Sequence, residues 1–212
     1  TAYLDVSTVS GVKWLASDEL NPWVSSSYGT GELIKEAISK GAKNIVLGLG
    51  GSATVDMGIG ILAALGIIFL DEKGDELAPF SPYFLQKIAH IRFNGNLPSI
   101  SFACLCDVSN GDNGAIPVFG PQKGLKADDQ KLFVDASKKV YELFEKASKK
   151  TIDDQPSFGA AGGIALGLSA FFPTEIAQGA HFFFEKIEME KMIDSADLIV
   201  TGEGRYEPIC PW

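Results

Sequence analysis

Histidine and cysteine are scarce in this chain, and its cationic side chains are outnumbered. Three cysteines, Cys104, Cys106 and Cys210, cannot build a disulfide framework. Cys104 and Cys106 stand two apart in the apolar run SFACLC and would share one face of a strand. No histidine is near them in sequence and a zinc site needs two more ligands, so they read as buried reduced thiols. Eighteen Lys and Arg against 27 Asp and Glu give a formal charge of −9 and an isoelectric point near 4.7. That balance lacks the basic face of a nucleic-acid binder and fits a cytoplasmic protein. The opening TAYLDVSTVSG has neither the basic start nor the apolar stretch of a signal peptide. It also lacks an initiator Met, so a piece of a longer protein is expected. No internal repeat or low-complexity linker interrupts a composition that is 46% hydrophobic and 21% charged, and a single α/β domain over 1–212 is expected.

Long uncharged runs are also few, with one exception. Between Asn44 and Leu70 the only charge is Asp56, and the window is long enough to cross a bilayer. Six glycines between Gly48 and Gly66, with an aspartate near the middle, would cost such a helix several kcal/mol. No flanking basic cluster or aromatic belt compensates. The stretch is therefore expected inside a soluble fold, either as close packing or as a loop that holds an anion.

The periodicity predicts a strand at Tyr3–Val6 and a helix capped by Thr30 whose apolar face is Leu33, Ile34, Ala37 and Ile38, with Gly41 as its stop. A buried strand follows at Asn44–Leu49, then a Gly-rich turn with Ser52 and Thr54 as caps and Asp56 in the first turn of a helix reaching Leu65. Further strands are predicted at Ile67–Leu70, Ile100–Cys106 and Leu198–Thr201. Further helices are predicted at Ser81–Ala89, Lys126–Lys149, Gly159–Phe172 and Glu188–Ser195. This alternation implies a mostly three-layer α/β fold, a sheet with helices on both faces.

Four glycine-rich loops carry the candidate chemistry. In the first, a strand runs into Gly50-Gly51-Ser52-Ala53-Thr54, whose backbone amides can approach an anion, while Asp56 is costly to bury unless it is paired or used. The spacing is not a Walker A loop, and Ala53 replaces the third glycine of a GxGxxG fingerprint. A tight strand–helix turn explains the glycines equally well. The second loop follows Asp107, at a strand's carboxyl end, and leads to FGPQKG, a rigid turn displaying Gln122 and Lys123. Its alternative is an exposed loop lysine. The third, TGEGR, offers Glu203 to a metal and Gly204 and Arg205 to a carboxylate or phosphate, or forms a salt-bridged turn. The fourth, Gly159-Ala-Ala-Gly-Gly163, reads more readily as close helix packing. Together they suit phosphoryl transfer, whose catalysis is mostly positioning plus charge stabilisation.

The order of these motifs resembles the type I glycerate kinase family, the glycerate 2-kinase group. The resemblance is carried by SYGTGELI at 27–34, GLGGSATVDMGIGILAALG at 48–66, CDVSNGDNGA at 106–115, FGPQKG at 119–124, GAAGGIALGL at 159–168 and DLIVTGEGR at 197–205. It implies a kinase, a transferase that phosphorylates D-glycerate to 2-phosphoglycerate with ATP and Mg²⁺, in a cleft between two α/β domains. Members are longer at both ends, so the chain resembles the central part of such an enzyme. Carried onto this sequence, the amides of Gly50, Gly51, Ser52, Ala53 and Thr54, with Gln122, would hold anionic oxygens. Asp56 would orient or deprotonate the glycerate hydroxyl, and Asp107 and Glu203 would hold Mg²⁺. Lys123, with Gly204 and Arg205, would neutralise phosphate or carboxylate. The family usually has Arg where Tyr28 stands, Asn at Val55 and Gly at Met57, and the tail after Arg205 departs from it. The implied partners are glycerate and ATP, with neither nucleic acid nor membrane, and a homo-oligomer is compatible with the sequence. The other readings are a catalytically silent nucleotide- or anion-binding domain, and a kinase for another small hydroxy acid.

Overall fold

The computed structural model describes residues 1–81, 83–93, 95–106, 120–152, 157–200 and 202. The described fold is mixed α/β, a parallel sheet with helices on both sides. Strands β1 (Ala2–Asp5), β2 (Asn44–Gly48), β5 (Ser101–Leu105) and β6 (Thr174–Ala177) pair in that order. The register sets Leu47 beside Leu4 and Cys104, and Cys104 beside Ile176. Ile45, Val46 and Leu47 of β2 are all buried, as a strand covered on both faces requires. The connection from β1 to β2 contains α1 (Ser7–Ser10) and α2 (Tyr28–Ser39). After β2 the chain forms α3 (Ile59–Ala64), and β3 (Ile68–Leu70) pairs antiparallel with β4 (His90–Arg92) around α4 (Phe84–Lys87). Helix α5 (Gln130–Ser148) packs on α4, on β4 and on α6 (Ile164–Phe171). Its Phe133, Ala136, Val140 and Phe144 are buried at the expected three- and four-residue steps.

The chain divides into two compact units, Thr1–Gly179 and Ala180–Trp212. In the second, α8 (Met189–Asp194) follows α7 (Gly179–Lys186), which begins on the last residue of the first unit. The strand expected at Leu198–Thr201 is not formed at 198–200. Those residues have no ladder partner among the described residues, and a strand needs one. Two strands escaped sequence reading. His90–Arg92 is short and carries two polar ends, and Thr174–Ala177 is an edge strand containing Glu175.

Helix starts also differ from expectation. Helix α2 begins at Tyr28, so Thr30 is not its cap; the Thr30 hydroxyl instead meets the Ser10 hydroxyl at 2.9 Å in the core. Helix α3 begins only at Ile59, because Met57 (φ 53°) and Gly58 (φ 70°) adopt left-handed conformations that an upstream helical turn excludes. Ser52 and Thr54 therefore do not cap it. The predicted helix at Gly159–Phe172 splits into a 3-10 turn, Ala160–Gly162, and α6, where Ala161, Gly162 and Gly163 all have positive φ. Gly162 serves close packing: a Cβ there would lie 2.4 Å from the Thr54 carbonyl oxygen.

Candidate functional site

Strands β2 and β5 are neighbours, and both end at one cleft of about 400 Å³. Open α/β sheets bind ligands in the crevice outside the carboxyl ends of their strands. Leu49 and Leu105 form the floor with Cys106, while Val12, Ala160 and Ala161 add apolar wall. The polar wall is Gly50, Gly51, Ser52, Gln122 and Lys123.

Local sequence explains each part of that wall. Gly51 has φ 68°, which lets the chain turn sharply after β2. The turn is pinned to the segment before it by Val12 N donating to the Gly51 carbonyl at 2.9 Å and Ala53 N to the Ser10 carbonyl at 2.8 Å. The N–H groups of Gly50, Gly51 and Ser52 donate to no acceptor among the described residues. Consecutive free amides around a left-handed residue form an anion-binding concavity.

Lys123 closes the polar wall. Pro121–Lys123 forms a 3-10 turn that ends at left-handed Gly124 (φ 89°), where a Cβ would lie 2.1 Å from the Leu20 carbonyl oxygen. This turn drives the lysine inward. Its ammonium donates to the Ser52 hydroxyl at 2.8 Å and to the Thr54 carbonyl at 2.8 Å. Only 6% of the residue is exposed, so the exposed-lysine alternative does not hold. An ammonium has three N–H donors, so one has no acceptor among the described residues. Burial pulls the Lys123 ammonium down to about 8, and the charge of Asp56 works in the other direction. Because Ser52 Oγ accepts from Lys123, its own proton is also free for an anion.

Asp56 is close to this cleft in sequence but does not line it; it borders a separate cavity of about 20 Å³. Its Oδ2 accepts from Ser27 N (2.8 Å), Ser27 Oγ (2.8 Å) and Gly60 N (3.2 Å), and its Oδ1 accepts from Gly58 N (3.2 Å). Burial pushes its carboxyl above the usual carboxylate range, against the pull of these four donors. The amides of Gly58 and Gly60, at the start of α3, are thus engaged by the protein's own carboxylate, whereas the expected anion-binding amides begin at Gly50. Sequence reading missed Ser27 as its partner, although a serine immediately before a helix is a recognisable signal.

Of the expected site residues, Gly50, Gly51, Ser52, Gln122 and Lys123 share the cleft. Ala53 and Thr54 are buried just behind it. Tyr28 starts α2 with its ring edge-on to Phe80. Asp107, Glu203, Gly204 and Arg205 lie outside the described residues. Cys104 and Cys106 are both buried, as expected; Cys106 also borders the cleft, and burial raises the Cys104 thiol to about 12. Among the described residues no group of three or more His, Cys, Asp or Glu side chains could hold a metal.

Known proteins resemble this chain in sequence and in fold. The family model described as the glycerate kinase family matches residues 1–208. A glycerate kinase of Bacillus subtilis (strain 168) is 36% identical over 213 residues, covering 98% of this chain and 56% of the relative. A glycerate 2-kinase of Escherichia coli (strain K12) is 36% identical over 214 residues with the same coverage. A crystal structure assigned to glycerate kinase 2 of Salmonella typhimurium LT2 superposes with a TM-score of 0.83 at 32% identity, over 96% of this chain and 56% of that one. The chain thus spans a little over half the length of the relatives it matches. With the family model matching residues 1–208 and a solved structure superposing over 96% of its length, the chain belongs to the glycerate kinase family.

Proposed function

We propose that this chain supplies the anion-binding part of an enzyme that transfers the γ-phosphoryl group of ATP to the 2-hydroxyl of D-glycerate. In that reaction the hydroxyl oxygen forms a bond to the γ-phosphorus, the bond from phosphorus to the bridging oxygen of ADP breaks, and the hydroxyl proton is released to water. The products are 2-phosphoglycerate and ADP. The observation that carries this reading is Lys123, held inside the cleft beside the three free amides of Gly50, Gly51 and Ser52. Such a set stabilises negative charge on phosphate or carboxylate oxygens without reorganising. The names of the relatives support glycerate as acceptor.

In this reading the amides and the third N–H of Lys123 take anionic oxygens, and Gln122 orients them from the rim. The apolar wall of Val12, Ala160 and Ala161 borders the bound anion on its other side. Mg²⁺ would neutralise charge between phosphate oxygens when bound. Its expected ligands, Asp107 and Glu203, lie outside the described residues, and binding of the anion is assigned to the amides and Lys123 alone. The same reading treats the chain as the central part of a longer enzyme.

A coupled assay of ADP release by the full-length protein, with ATP and D-glycerate, tests the proposal. D-glycerate-dependent turnover is expected. Nucleotide binding in calorimetry without turnover on D-glycerate would replace it with a silent anion-binding domain. Turnover only with another small hydroxy acid would change the acceptor.

A further inference from the structure

The buried carboxylate of Asp56 joins two helices and one loop. Ser27, immediately before α2, gives it two hydrogen bonds, and Gly58 and Gly60, at the start of α3, give it two more. Ser27 Oγ in turn accepts from Ile61 N at 3.1 Å. The helices cross here at close range. A Cβ on Gly60 would lie 2.2 Å from Tyr28 N, and one on Gly31 would lie 2.5 Å from the Ala64 Cβ. Asp56 therefore marks the fixed end of the segment that starts at Gly50. Lys123 holds the middle of the same segment, through Ser52 Oγ and the Thr54 carbonyl.

A general base must reach the proton it removes. Asp56 does not line the cleft, and its two oxygens already accept four hydrogen bonds. The ionised form satisfies all four donors, whereas a protonated carboxyl would add a donor where only acceptors are needed. We infer that Asp56 is a positioning residue. Through Ser27 it anchors the far end of the 50–58 segment to α2, and so sets the spacing between the Gly50–Ser52 amides and Lys123 without touching the bound anion. The ligand-binding half of this inference rests on the anion reading of the cleft.

Three variants of the protein carrying the full chain test it: Asp56→Asn, Ser27→Ala and Ser27→Thr. Two quantities are measured where circular dichroism shows each variant folded. One is affinity for inorganic pyrophosphate by calorimetry. The other is the acetylation rate of Lys123 by acetic anhydride in the free protein, followed by mass spectrometry. Asp56→Asn and Ser27→Ala are expected to weaken pyrophosphate by about tenfold or more and to change Lys123 acetylation, while Ser27→Thr, which keeps the hydroxyl, stays close to wild type. A purely structural contact would lower the melting temperature of Ser27→Ala and leave Lys123 acetylation untouched; that result overturns the inference. Wild-type pyrophosphate affinity in folded Asp56→Asn overturns it as well. If Asp56→Asn does not fold, Ser27→Ala decides. If the wild type does not bind pyrophosphate, the anion reading fails, and acetylation of Lys123 alone decides whether Asp56 positions the segment.

Discussion

Lys123 reaches across 71 positions of sequence to place its ammonium 2.8 Å from the Ser52 hydroxyl. That contact makes one wall of the cleft from two loops that neither motif could place alone. It also keeps the lysine out of solvent, with 6% of the residue exposed, and the anion-binding role proposed for it can be tested directly. Lys123→Met should weaken pyrophosphate or ATP by about ten- to a hundredfold, the range of a hydrogen bond to a charged group. Lys123→Arg should not restore binding, because a planar fork does not fit a slot built around a point charge. Calorimetric titration of the three proteins checks both statements.

Burial of the same lysine has a consequence for stability against pH. Its folded value is depressed from 10.5 to about 8, so between those values the unfolded chain holds more protons than the folded one. Stability therefore rises with pH from about 8 to 10.5, and the gain is lost again as pH falls to about 8. It approaches about 3 kcal/mol at most, from roughly 1.4 kcal/mol for each unit. Asp56 is shifted upward by burial, so its contribution has the opposite course, present at low pH and lost as pH rises through its folded value. Urea unfolding across the alkaline window, in wild type and Lys123→Met, isolates the lysine. Equal slopes in the two proteins would show that Lys123 is not desolvated.

Two glycines in the same region should respond in opposite ways. A Cβ at Gly50 meets nothing within 4 Å, whereas one at Gly60 lies 2.2 Å from Tyr28 N and 2.7 Å from the Ser27 carbonyl carbon. Gly60→Ala should cost about 1–3 kcal/mol or more, because backbone has to move. Gly50→Ala should change stability by less than about 0.5 kcal/mol while its methyl weakens anion binding at the cleft. Denaturation midpoints and pyrophosphate titrations of both variants separate packing from recognition.

Thr54 offers a stabilising substitution. Its hydroxyl is buried and has no hydrogen-bond partner among the described residues, although its carbonyl accepts from Lys123. Thr54→Val removes the unpaired group and should stabilise the fold by about 1 kcal/mol. A lower unfolding midpoint for Thr54→Val would mean that the hydroxyl has a partner in solution.

Much of the architecture was legible because it is local. The apolar run from Asn44 dictates a buried strand, and the spacing of Phe133, Ala136, Val140 and Phe144 dictates an amphipathic helix, whatever surrounds them. The glycines of 48–66 and the order of the motifs likewise declared a strand–loop–helix unit and its family. Tertiary structure decided the start of α3, since left-handed Met57 and Gly58 answer to the Gly162 carbonyl, which accepts from Met57 N, and to the carboxylate of Asp56. It also decided that Lys123 is buried and that Asp56 accepts hydrogen bonds from Ser27, Gly58 and Gly60. Chain neighbours set backbone preference and periodicity, but desolvation and hydrogen-bond partnership depend on which distant groups the fold brings within about 3 Å, and no local pattern records them.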